Sequence, residues 1–152
     1  METLTFKIII NAPKEKVWGT MLEDTTYQQW TATFHEGSYY EGTWEQGSKI
    51  KFLGPNEDGT EGGMYATIEV NRPYEFISIK HLGELENNTE KPWSTEKGQE
   101  GYENYSFKEM SGATELTIDL KIPADFKDMF QEMWPQALEK LKTIVENNNN
   151  SN

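Results

Sequence analysis

The chain has no cysteine and a single arginine, Arg72. Without thiols, neither a disulfide framework nor a thiolate metal site can form. The two histidines, His35 and His81, stand apart among scattered acids, so metal-ligand spacing is missing and neither a metal nor a cofactor is expected. There is no Ser-His-Asp spacing, P-loop or dinucleotide glycine pattern, and GTEGGM is read as a turn. Nor does any apolar run approach the roughly 18 residues that a membrane span needs. The opening METLTFKIII puts an acid and hydroxyls where a secretion signal would carry bases, so a soluble, cytoplasmic protein is expected. Positive charge is scarce: 26 acids face 14 bases, for a formal net charge of -12. Such a surface repels phosphate backbones and anionic lipid heads, which excludes nucleic acid and membrane insertion. Solubility alone accounts for the acidity.

Aromatic residues are plentiful, at 12% of 152 residues. That is enough for one packed domain, expected over residues 1–147, with the low-complexity end 148–152 carrying no structure. LTFKIII reads as a first strand. In NAPKEKVWGTML, Asn11 is placed to cap a helix and Pro13 to sit near its first position. DTTYQQW predicts a second short helix capped by Asp24.

From about residue 36 to 122 the pattern alternates and is broken by turns. Ile50 and Phe52 share one face; Met64, Ala66, Ile68 and Val70 alternate with Tyr65, Thr67 and Glu69. YEFISIKHL is a strand, and a hairpin is expected about Ser111-Gly112, with Leu116, Ile118 and Leu120 on one side. One apolar and one polar face define an antiparallel sheet wet on one side. GELENNTEKPWSTEKGQE is polar and aperiodic, and is read as a long loop, either at a functional mouth or a disordered insertion.

The last third carries apolar residues at spacings of three and four: Phe126, Met129, Phe130, Met133, Trp134, Ala137, Leu138, Leu141, Ile144 and Val145. This is one helical stripe, with Asp125 at its start and a kink expected at Pro135. A helix and a sheet that each have one apolar face must pack together. The aliphatic end looks like ordinary packing. The Phe/Met end fits two readings: plain core, or adaptable side chains over a cavity that a curved sheet leaves open.

Several stretches narrow the fold. INAPKEKVWGTMLE, YQQWT, the meander GTWEQGSKIKFLGPNEDGTEGGMYATIEVNRPYEFISIKHLG and the closing ALEKLKTIVE resemble the activator-of-heat-shock-protein-90-ATPase homologue (AHSA-type) branch of the START/Bet v 1-like, or SRPBCC, superfamily. The resemblance spans roughly residues 3 to 147 and rests mostly on turn and core positions. It implies an α+β helix-grip fold: a curved antiparallel sheet of about six to seven strands around a long C-terminal helix, with two short helices after the first strand. It also implies a groove for an apolar ligand between sheet and helix. Eukaryotic activators of this branch make much of their chaperone contact through a separate N-terminal domain, whereas this sequence opens at the first strand. A chaperone partner is therefore the third reading.

The first reading is a monomer or weak dimer binding a hydrophobic small molecule or lipid. Its pocket is expected from Trp30, Phe34, Phe52, Met64, Ile77, Ile79, Tyr105, Phe107, Phe126, Met129, Phe130 and Met133, with His81 and Tyr102 orienting a polar group. The second is an enzyme of cyclase, dehydratase or hydrolase type using His81 with Glu103 or Tyr102. A lone His on an apolar strand face is otherwise a hydrogen-bonded core residue. Trp30 is placed to plug the cavity or to pack helix on sheet, and Trp44 to cap the sheet's end. Trp93 is expected either as a lid or folded back onto the sheet.

Overall fold

The computed structural model describes residues 1–93 and 100–150, the last three by backbone alone. Strand β1 (Glu2–Ile10) leads to helices α1 (Lys14–Leu22) and α2 (Asp24–Thr31). The meander follows as β2 (Tyr39–Gly42), β3 (Lys49–Pro55), β4 (Glu61–Arg72), β5 (Phe76–Glu86), β6 (Thr89–Pro92), β7 (Gly101–Met110) and β8 (Ala113–Ile122). A single 3-10 turn, Ala124–Phe126, then opens α3 (Lys127–Asn150). The fold is the helix-grip α+β arrangement: one antiparallel sheet, ordered β1-β8-β7-β5-β4-β3-β2, with β6 pairing β5 beyond the end of β7.

Local details differ from the sequence expectation in four places. Pro13, not Asn11, is the N-cap of α1; the Asn11 backbone N–H instead donates to the Glu146 carboxylate of α3. Glu23 caps α2, and Asp24 lies in its first turn. The polar stretch after β5 is partly a hairpin. Asn87 and Asn88 both adopt positive φ, the geometry of a two-residue hairpin turn that Asn tolerates, and β6 pairs back along β5. Residues 94–99 of that expected loop lie outside the described residues. Gly62 and Gly63 belong to β4, which starts at Glu61, so GTEGGM is only in part a turn. The β7–β8 hairpin turns at Ser111-Gly112 as expected.

The core has one main cluster. From α1 come Val17 and Met21; from the sheet Ile50, Ile68, Ile77, Ile79, Leu116 and Ile118; and from α3 Ala137, Leu138, Leu141 and Val145. The aliphatic end of α3 is tied to β1: Lys142 Nζ donates to the Ile9 carbonyl at 2.7 Å and to Glu146 at 2.6 Å. The carbonyls that end α1 would be orphaned without partners. Trp30 Nε1 donates to Met21 at 3.0 Å, while Tyr40 and Trp44 donate to Leu22 at 2.7 and 3.0 Å. The helix α3 continues through Pro135, whose ring faces solvent, and runs to Asn150, into the stretch expected to carry no structure. No helix among the described residues is long and apolar enough to cross a membrane.

Leu141 is 0% exposed and Met129 is 41% exposed on the same helix. Leu141→Ala should lower the unfolding free energy by about 2–5 kcal/mol. Met129→Ala should change it by less than about 0.5 kcal/mol, both read from urea unfolding.

Candidate functional site

The helices do not meet the sheet everywhere. A partly open cavity of about 260 Å³ lies between α2, the first half of α3 and the inner face of β3, β4, β5 and β7. Its helical wall is Tyr27, Trp30, Thr31, Phe34, Phe130 and Trp134. Its sheet wall is Phe52, Leu53, Gly54, Gly62, Gly63, Met64, His81, Glu103 and Tyr105, with His35, Ser38 and Asn56 at the rim.

Two devices keep this space open. Trp134, 3% exposed, is a wide wedge whose ring lies 6.4 Å from Phe6, 5.9 Å from Trp30, 5.0 Å from Phe34 and 6.2 Å from Tyr105. Opposite it, Gly54 pairs Gly62 and Leu53 pairs Gly63 across the β3–β4 ladder, so that part of the wall has few side chains. A Cβ at Gly54 would overlap the His35 ring, whose Nε2 is bonded to the Pro55 carbonyl.

The polar end is built on β5 and β7. Ile77, Ile79 and His81 alternate inward along β5, and His81 is 4% exposed. Glu103 pairs with Ile79, which puts it diagonal to His81, and its Oε1 lies 3.1 Å from His81 Nε2. Tyr105 donates its hydroxyl hydrogen bond to the other carboxylate oxygen. A carboxylate only accepts, so Nε2 carries a proton, and in the neutral tautomer Nδ1 is left as an acceptor. Among the described residues, Nδ1 is buried with no hydrogen-bond partner. Phe52 and Trp93 flank the imidazole, with ring centres at 5.8 and 6.2 Å. Trp93 has folded back over Gly101, the residue opposite His81, where a Cβ would collide with the indole. Burial, then the charge of Glu103, then Tyr40, push the Tyr27 phenol well above its ordinary value, so Tyr27 stays protonated.

Of the pocket residues expected from sequence, Trp30, Phe34, Phe52, Met64, His81, Tyr105 and Phe130 meet around the cavity. The others do not line it. Ile77 and Ile79 are sealed in the core. Phe107 packs against Trp18 at 5.2 Å, and Phe126 lies just outside, between Trp93 and Phe130. Met129 faces solvent and Met133 is half-buried off the wall, so the helical wall is aromatic rather than methionine-rich. Tyr102 alternates to the opposite face beside Asn104 and Lys121, which leaves Glu103 as the partner of His81. Trp44 packs on Tyr27, Tyr40 and Phe52. Tyr27 and Trp134 were missed as wall residues, although Tyr27 stands one turn before Trp30, and Trp134 one turn after Phe130 in the same stripe. The glycines and His35 gave no usable signal. Among the described residues no group of His, Asp and Glu could hold a metal ion.

A helix-grip domain with an aromatic cavity closed by a His–Glu pair is the class that this geometry defines. The family model described as Activator of Hsp90 ATPase homolog 1-like protein matches residues 11–146, and the chain belongs to that family. Among curated proteins, none matches this sequence. Solved structures share the fold at low identity. Protein NE0264 from Nitrosomonas europaea aligns with a TM-score of 0.73 at 12% identity, covering 97% of this chain and 96% of that one. Protein CV1439 from Chromobacterium violaceum aligns with a TM-score of 0.70 at 18% identity, over 96% and 99%. DynU16, a protein of the dynemicin biosynthetic locus, aligns with a TM-score of 0.66 at 14% identity, over 96% of this chain and 48% of its own.

The Tyr27 proton has a consequence at alkaline pH. An unfolded tyrosine releases its proton near pH 10, whereas folded Tyr27 holds it to higher pH. Above about pH 10 the folded state therefore binds more protons than the unfolded chain, and stability falls as pH rises toward the folded value. Tyr27→Phe should flatten that fall in denaturant unfolding at successive alkaline pH values. Some slope should remain, because Tyr39 and Tyr40 are shifted in the same direction.

Proposed function

We propose that this domain binds a small apolar or amphipathic molecule between α2, α3 and the sheet, with the ring system among the aromatics and a polar group at His81. One observation carries the reading: a cavity of about 260 Å³ with aromatic walls and a polar pair, buried His81 and part-buried Glu103, set among them. That combination of apolar lining and few convergent polar groups is what small-molecule sites present. An apolar cavity of about 150 Å³ holds benzene, so by proportion this one encloses about ten non-hydrogen atoms, and its open side lets a longer substituent protrude. The shared fold of a protein from the dynemicin biosynthetic locus is in keeping with this, though at 14% identity the likeness carries the fold alone.

The approach of Glu103 to His81 supports a second reading, proton transfer on the bound molecule. Product formation from a bound ligand that His81→Gln abolishes would select it over simple binding.

Thermal shift against a panel of bicyclic apolar compounds tests the binding reading. Each tenfold excess of ligand over its dissociation constant should add about 1.4 kcal/mol of stability. Met64→Trp, which places an indole into the cavity, should abolish the shifts while the unliganded protein still melts cooperatively. No shift with any compound of the panel would overturn the proposal.

A further inference from the structure

If the cavity is a binding site, its polar end specifies more than polarity, and the inference drawn from it rests on that binding reading. Most polar groups around the cavity are already committed within the protein. Thr31 Oγ1 donates to the Tyr27 carbonyl at 2.6 Å, and Ser38 Oγ to the Thr31 carbonyl at 3.0 Å. His35 is bonded to Pro55, and Asn56 Nδ2 to Thr60 at 3.0 Å. Inside, Glu103 receives His81 Nε2–H and the Tyr105 hydroxyl. Among the described residues that line the cavity, the buried atom without a partner is His81 Nδ1, an acceptor in the neutral tautomer that Glu103 favours. Buried polar atoms are almost always hydrogen-bonded, so a lone acceptor at a cavity wall marks a ligand contact. Both His81 and Phe52 line the cavity, and the Phe52 ring lies against the imidazole.

Charge narrows the guest further. Among the described residues no Lys or Arg lines the cavity, and Glu103 does. A carboxylate or phosphate would be desolvated there beside a like charge, with no cation among the described lining residues to pair it, a cost that disfavours it. The walls offer flat aromatic surfaces, which suit a planar ring system.

We propose that the cavity selects a neutral aromatic hydroxyl compound of phenol or naphthol type, whose O–H donates to His81 Nδ1, and rejects aromatic carboxylates of the same size. Glu103 is the positioning residue: it sets which ring nitrogen accepts.

Equilibrium dialysis with naphthol, methoxynaphthalene, naphthoate and naphthaldehyde tests this. Wild-type protein should hold naphthol about tenfold more tightly than methoxynaphthalene, the worth of one hydrogen bond to a buried acceptor, and naphthoate more weakly than either. Glu103→Gln should invert the preference. Tyr105 will donate to the amide oxygen, turning the amide N–H toward His81 Nε2, so the ring proton moves to Nδ1. That variant should then favour naphthaldehyde, an acceptor, over naphthol. A merely structural role for Glu103 would weaken all four probes alike, and that result overturns the assignment. Equal binding of naphthol and methoxynaphthalene by the wild type, or strongest binding of naphthoate, overturns the proposal but leaves the cavity a binding site. Failure of all four to bind wild-type protein overturns both.

Discussion

Trp134 is the contact on which the architecture of the site depends. It touches β1, α2 and β7 at once, so the gap between helix and sheet is the width of an indole rather than of a leucine. Beyond it, Leu138, Leu141 and Val145 close the layers, and Lys142 fastens the helix to β1. Before it, the helix faces strands whose nearest positions include glycines. At about 24 cal/mol per Å³, a dry void of 260 Å³ costs about 6 kcal/mol. A domain's whole stability is about 5–15 kcal/mol. Water entering from the open side reduces the cost, but the comparison sets the scale: filling this space would stabilise the domain far more than any surface change. A chain with aromatic residues in such supply could have filled it.

The His81–Glu103 pair points the same way. Buried polar pairs contribute little net stability, because desolvation offsets the attraction. Several features converge to hold this one: the diagonal placement of Glu103 across from Ile79, the bare Gly101 opposite His81, the fold-back of Trp93 and the second donor from Tyr105. Among the described residues the arrangement also leaves one imidazole nitrogen unpaired, a further cost. Packing and polar satisfaction are compromised at the same spot, and departures of that kind are expected at functional sites.

Much of the frame was legible. Period-two alternation located most of the sheet, and a stripe at spacings of three and four located α3. The failures have physical reasons. Strand β6 is polar on both faces and short, so no alternation marks it; its one signal was Asn87-Asn88, a pair suited to a tight hairpin turn. Gly62 and Gly63 read as a turn because a strand interior seldom uses two glycines, and here they are the thin wall of a cavity. The stripe of α3 named the right helix but too wide an arc. The inward row runs Phe130, Trp134, Ala137 and Leu138, Leu141, Val145, whereas Met129 and Met133 lie on its flank. Periodicity gives the direction of a face; it does not give the distance to the opposing layer, and a cavity is a statement about distance.

The residues that show the family and the residues that give the cavity its chemistry are largely different sets. The resemblance runs through Ala12-Pro13, Val17-Trp18, Gly47-Ser48, Asp58-Gly59 and Arg72-Pro73, which turn the chain or seed its core. The cavity is lined by Phe52, His81, Glu103, Phe130 and Trp134, with Trp30 common to both sets. A fold hosts many functions, so the first set does not dictate the second. Family membership therefore carries the helix grip and the existence of a space beneath it. What lines that space in this chain is a buried imidazole, a carboxylate and a set of aromatic planes.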